Sequence, residues 1–131
     1  MATTMTTTPD ALIDVHTHVV PRDFPREPAP GDSGRWPCLC MHDPRRATIH
    51  FGAKPFRELD DRSWDLTARV NSMDAEGIDA QVLSPMPELL SYWLPAAGAL
   101  TLCRHVNDCI AGMVARGAGR FHGLGCVPLQ D

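Results

Sequence analysis

Apolar and polar positions alternate over Ile13-Asp14-Val15-His16-Thr17-His18-Val19-Val20, a period of two that predicts a strand over about residues 12–20. Side chains of a strand point to opposite faces in turn. The pattern therefore places Asp14, His16, His18 and Val20 on one face and Ile13, Val15, Thr17 and Val19 on the other. Pro21 stops the run. The proline-rich stretch from there to Pro37, with Gly31 and Gly34 inside it, predicts a long irregular loop. Two short extended runs follow, at residues 38–42 and 47–52. Asp43 and Pro44 suit the first two positions of a type I turn between them, which predicts a hairpin.

The period then changes. Leu66, Val70 and Met73 predict an amphipathic helix from about residue 63 to 76, with Gly77 placed to end it. Residues 78–84 read as a strand, stopped by Ser84-Pro85-Met86-Pro87, and the loop over 86–95 carries Tyr92 and Trp93. A longer helix over about 96–115 sets Leu100, Cys103, Val106, Ile110 and Met113 on one stripe, with Gly117 or Gly119 at its end. A glycine-containing strand is expected over 121–128. The Thr-rich residues 1–10 show no periodicity and read as a disordered tail, leaving residues 11–131 as one domain.

Strands alternating with helices predict an α/β fold with a parallel sheet. Two crossovers of one hand cover only one face of three parallel strands, leaving the other face and both edges open. That arrangement suits the amino-terminal portion, about three strands, of a (β/α)8 TIM barrel with a small β-hairpin insertion after strand 1; the whole barrel takes roughly 250 residues. The chain is thus expected to be part of a longer enzyme, and on its own to be aggregation-prone or partner-dependent.

Composition narrows the function classes. The 131 residues are 44% hydrophobic and 21% charged with a formal net charge of −4, so nothing favours nucleic acid. No stretch approaches the roughly 18 apolar residues of a membrane span, and the first residues lack the features of a secretory signal. A cytoplasmic setting is expected. The five cysteines are odd in number and three sit in apolar patterns, which favours buried thiols over a disulfide framework.

Candidate chemistry centres on His16 and His18. Two neutral imidazoles on one face of a rigid strand are half of a metal site, and they fall at the strand's carboxyl end, where α/β proteins place their chemistry. The same two residues also suit a solvated strand face. Cys38, Cys40, His42 and His50 can share a face of the hairpin, but no CxxC or HxxxH spacing supports a second site, and an ordinary hairpin is the simpler expectation. Asp14 reads as an interior partner of the histidines rather than a ligand. Tyr92 and Trp93 suit either a pocket wall or core packing, and Asn107 and Asp108 read as helix surface or packing.

The residues resemble a known family. Ile13-Asp14-Val15-His16-Thr17-His18-Val19-Val20-Pro21, Phe56-Arg57 followed by Trp64-Asp65, and Met73-Asp74-Ala75-Glu76-Gly77-Ile78-Asp79-Ala80-Gln81-Val82 look like the amidohydrolase-related metal-dependent decarboxylases. Ser91-Tyr92-Trp93, His105-Val106-Asn107-Asp108 and Val127-Pro128-Leu129-Gln130-Asp131 continue the match, which is nearest to the 2-amino-3-carboxymuconate-6-semialdehyde decarboxylase subgroup. The resemblance implies a (β/α)8 barrel with one divalent metal, usually zinc, and His16 and His18 as two of its ligands. It implies that Arg57 contacts the carboxylate of a small-molecule substrate, with Phe56 beside it as a wall of the pocket. The implied activity is a carboxy-lyase: non-oxidative loss of carbon dioxide from an unsaturated or aromatic carboxylate.

The family's later ligands and its general acid/base have no counterpart in these residues, so no catalytic acid or base is assigned. His105 and His122 do not replace them. Two histidines leave coordination positions to water, and this chain alone is expected to hold a metal weakly. A hydrolase or hydratase on the same metal barrel, and an inactive fragment or subunit needing further strands, are the competing readings. Neither nucleic acid nor membrane is an expected partner, and a homo-oligomer stays open.

Overall fold

The protein is described by a computed structural model over residues 11–29 and 34–130. The expected disordered tail at residues 1–10 lies outside the described residues. Among the described residues, two sheets, two α-helices and two short 3-10 turns form the fold. Strands β1 (Ile13–Val19), β5 (Ala80–Pro85) and β6 (Phe121–Gly123) make a parallel sheet in the order β1-β5-β6. Strands β2 (Pro37–Asp43), β3 (Arg46–Phe51) and β4 (Lys54–Asp60) make an antiparallel meander. Helix α1 (Leu66–Glu76) leads into β5, and α2 (Ala96–Arg116) crosses from β5 to β6.

The expected hairpin insertion is therefore one strand short. Its first turn forms as expected, with the Asp43 carboxylate accepting from the Arg45 N–H at 2.8 Å. Beyond Gly52, however, the chain returns as β4 and pairs with β3. Most of β4 is exposed and it carries Pro55, so neither burial nor alternation marks it in the sequence.

Helix α1 begins at Leu66 rather than near residue 63 because Asp65 caps it, its side chain accepting from the Ala68 N–H at 2.8 Å. Gly77 closes the helix at φ 72°, a left-handed conformation that suits glycine. At the end of α2, Gly117 has φ −86° and is needed for a different reason. A Cβ there would collide with the Phe121 ring, which packs at the start of β6. The last strand is shorter than expected, covering only Phe121–Gly123. Beyond it, Asn107 of α2 holds the chain instead, donating to the Cys126 carbonyl at 2.9 Å and accepting from its N–H at 2.8 Å.

One face of the parallel sheet is buried against the helices. Gln81, Leu83 and Pro85 point to that side, while Ala80, Val82 and Ser84 are only half-buried. The core joins Val19 and Leu83 to Met73 of α1 and to Leu102, Val106, Ile110 and Met113 of α2, and Ile49 of the meander belongs to the same cluster. Among the described residues, no helix is long and apolar enough to cross a membrane.

Cys103 and Cys126 lie in this core as free thiols, as the apolar patterns suggest. Burial, with the Cys103 thiol beside it, pushes the Cys126 thiol up from its ordinary 9.0 to about 12. The folded chain thus keeps a proton that the unfolded chain releases, and stability falls as pH rises from about 9 towards 12. At about pH 10 the expected loss is on the order of 1 kcal/mol, read as a lower urea midpoint than at about pH 8. Cys126→Ala should remove most of that slope; an unchanged slope would contradict this origin.

Candidate metal and carboxylate site

His16 and His18 project together from the carboxyl half of β1. Their ring centroids lie 5.2 Å apart at an interplanar angle of 83°. The simple alternation read from the sequence does not survive along the whole strand. Asp14 pairs with Gln81 and Thr17 with Leu83, so Val15 and His16 together face the single residue Val82. This bulge shifts the phase of everything before it.

Asp14 is consequently not on the histidine face. Its carboxylate accepts from the buried Gln81 side chain at 3.1 Å and from the His16 N–H at 3.0 Å. Thr17 also turns to the helix side, where Arg69 of α1 reaches it. The guanidinium donates to Thr17 Oγ1 at 2.6 Å, to the His18 carbonyl at 2.8 Å and to Gln81 Oε1 at 3.3 Å. Arg69 is only 4% exposed, and burial holds its pKa down at about 10. A desolvated guanidinium is tolerated there because three acceptors converge on it, and they clamp the backbone that carries both imidazoles.

On the histidine side, Ser84 of β5 faces His18, with Oγ 3.0 Å from the ring Nδ1. The imidazoles are one strand-width from β5 and lie towards the carboxyl ends of both strands, as β1 and β5 run parallel. The rings suit a borderline divalent cation. Among the described residues, no group of three or more His, Cys, Asp or Glu side chains is placed to hold a metal ion.

Arg57 and Phe56 come from β4, the strand missed in the sequence. Arg57 lies opposite the fully buried Ile49 on the inward face of the meander. Its guanidinium approaches Glu88, which follows β5, at 3.9 Å, so it stands over the same end of the parallel sheet that carries His18 and Ser84. A second bulge makes Phe56 an extra residue between Arg57 and Pro55. Its ring packs 5.6 Å from Phe51 and lies 5.3 Å from the Arg57 Cζ. Trp93 adds a third ring, 6.2 Å from Phe51. The loop that carries Trp93 turns through Ser91, a buried residue at φ 51°.

The hairpin cysteines behave otherwise. Cys38 lies opposite His50, but Cys40 lies opposite Thr48, whose hydroxyl is engaged by His42 Nε2 at 2.7 Å. His105 is likewise taken up structurally, bound to the Asp23 carbonyl at 2.8 Å. Sequence reading missed Ser84, Arg69 and Glu88. The position of Ser84 opposite His18 follows from strand pairing, and the burial of Arg69 from a helix face that otherwise reads as apolar.

No family model matches the sequence. The curated relatives do. The chain is 36% identical over 90% of its length to 2-amino-3-carboxymuconate-6-semialdehyde decarboxylase of Dictyostelium discoideum, and 29% identical over 91% to the enzyme of that name from Caenorhabditis elegans. By these matches the chain is similar to part of an aminocarboxymuconate-semialdehyde decarboxylase over nine-tenths of its length. It spans about a third of its relatives' length, 33% and 30% respectively. In fold the chain is similar to the crystal structure of Metarhizium anisopliae IDCase in apo form, which superposes with a TM-score of 0.65 at 20% identity, covering 92% of this chain and 36% of that one.

Proposed function

We propose that this chain supplies part of the active site of a metal-dependent, non-oxidative decarboxylase acting on an unsaturated or aromatic carboxylate, of the aminocarboxymuconate-semialdehyde type. The observation that carries the reading is the paired imidazoles of His16 and His18 at the carboxyl end of β1, in a chain related to decarboxylases over nine-tenths of its length. His16 and His18 would hold one divalent cation, with zinc the natural occupant of imidazole ligands. Such an ion supplies Lewis acidity, drawing electron density from substrate oxygens and acidifying water.

The remaining residues bind and orient. Arg57 presents a planar fork to a carboxylate, and its contact with Glu88 at 3.9 Å is too long for a hydrogen bond, so the fork is available to a substrate anion. Glu88 Oε2 is buried with no hydrogen-bond partner, which leaves the pair incompletely satisfied. Phe51, Phe56 and Trp93 form an apolar wall beside the fork, suited to a flat conjugated substrate and to excluding water.

Product analysis separates this reading from a hydrolase or hydratase on the same ligands. A zinc-loaded enzyme in which this chain is joined to the remaining barrel strands, given an aminocarboxymuconate semialdehyde labelled in its carboxylate, is expected to release labelled carbon dioxide and to return a product one carboxylate smaller. The 131-residue chain alone should not turn over. A product that instead gains the elements of water, with the label retained, would overturn the decarboxylase reading.

A further inference from the structure

The Ser84 hydroxyl has one proton and two neighbours that compete for it. Its Oγ lies 3.0 Å from the Thr17 carbonyl oxygen and 3.0 Å from His18 Nδ1. A carbonyl can only accept, whereas an imidazole nitrogen can accept or donate according to its tautomer. Both contacts are hydrogen bonds in one arrangement: the hydroxyl donates to Thr17, and a protonated Nδ1 donates to the hydroxyl. That arrangement leaves His18 Nε2 without a proton and with its lone pair free.

We infer that Ser84 is a positioning residue that fixes His18 in the Nδ1–H tautomer and so presents Nε2 as the metal-binding atom. The inference deepens the metal reading above and rests on it for its purpose, though the tautomer itself does not depend on any metal. Fixing the outer nitrogen of a ligating histidine sets both ring orientation and ligand basicity. The backbone beneath is held from the other side as well. Arg69 grips Thr17 Oγ1 and the His18 carbonyl, so the backbone of β1 at His18 has little freedom to turn the ring away.

Register explains why this residue does the work. His18 pairs directly with Ser84 in the parallel ladder, and the bulge upstream lets His16 share that face without needing a partner of its own from β5. Pro85 follows Ser84 and pairs with Val19, so the strand ends immediately after the contact. A serine is the smallest side chain that can reach the ring from this position with an oxygen.

The test uses the full chain, free of metal, with nitrogen-15 in its histidines. Long-range proton–nitrogen NMR at about pH 8 is expected to show the Nδ1–H tautomer for His18. In Ser84→Ala the ring should move towards the Nε2–H form that free imidazole prefers, and Ser84→Thr, which keeps the hydroxyl, should restore it. An Nε2–H pattern in the unsubstituted protein, or the same tautomer in Ser84→Ala, would overturn the inference. Zinc titration against a chromophoric chelator gives the second readout: affinity should fall roughly 10- to 100-fold in Ser84→Ala and recover in Ser84→Thr. If the unsubstituted protein takes up no zinc while the tautomer behaves as expected, the metal reading fails and the positioning of His18 stands.

Discussion

Removing both imidazoles, as His16→Ala with His18→Ala, should weaken zinc binding by at least about 100-fold and abolish decarboxylation. Loss of an outer-shell partner alone costs about 10- to 100-fold, so loss of two direct ligands must cost more. The expected readout is a zinc titration against a chromophoric chelator, with metal content of the purified protein as a second measure. The fold should survive the change, because both rings sit on the open side of β1 while the strand's anchors, Thr17 and Val19, face α1 and the core. Retention of tightly held zinc in the double variant would place the metal elsewhere and remove the basis of the site.

Arg57→Lys is expected to reduce kcat/KM by roughly 30-fold, about 2 kcal/mol, mostly as a raised KM. A hydrogen bond to a charged group contributes about 1.5–3 kcal/mol, and a lysine ammonium cannot match a carboxylate at two points, so one such bond is expected to be lost. Stability should barely change. The side chain is 54% exposed and its contact with Glu88 is long, a combination that contributes about 0–1 kcal/mol. Wild-type kinetics in Arg57→Lys would remove this residue from the substrate site, and a parallel drop in melting temperature would recast it as structural.

Much of this arrangement is legible in the sequence, for definite reasons. The HxH strand, the two helices and β5 announce themselves because burial on one side imposes a period, and Gly77 marks a helix end through a left-handed backbone that few residues adopt, whereas the Asp65 cap that starts the same helix is not read from the pattern. The pairing of His16 with His18 follows from alternation alone. Asp14 does not, since a bulge is a property of two strands in register and leaves no trace in either one. Strand β4 stays hidden because it is mostly solvent-facing and contains a proline, so Arg57 and Phe56 are found by resemblance and only the structure shows what carries them. Arg69 and Ser84 are hidden for another reason. Each is an ordinary residue whose role comes from a partner about fifty or more positions away, at Thr17 and His18.

The unmatched residue beside Val82 also uncouples two stretches of β1 in evolutionary terms. Loss of Val15 by a single-codon deletion would restore a regular ladder and leave Thr17, His18 and Ser84 in their places. Upstream, the pairing would also be kept: Asp14 would still meet Gln81 and Ile13 would still meet Ala80, with His16 alone opposite Val82. The strand can thus gain or lose one residue at this point while the acid keeps its hold on Gln81 beside the buried arginine, and without altering any residue that the histidines themselves touch.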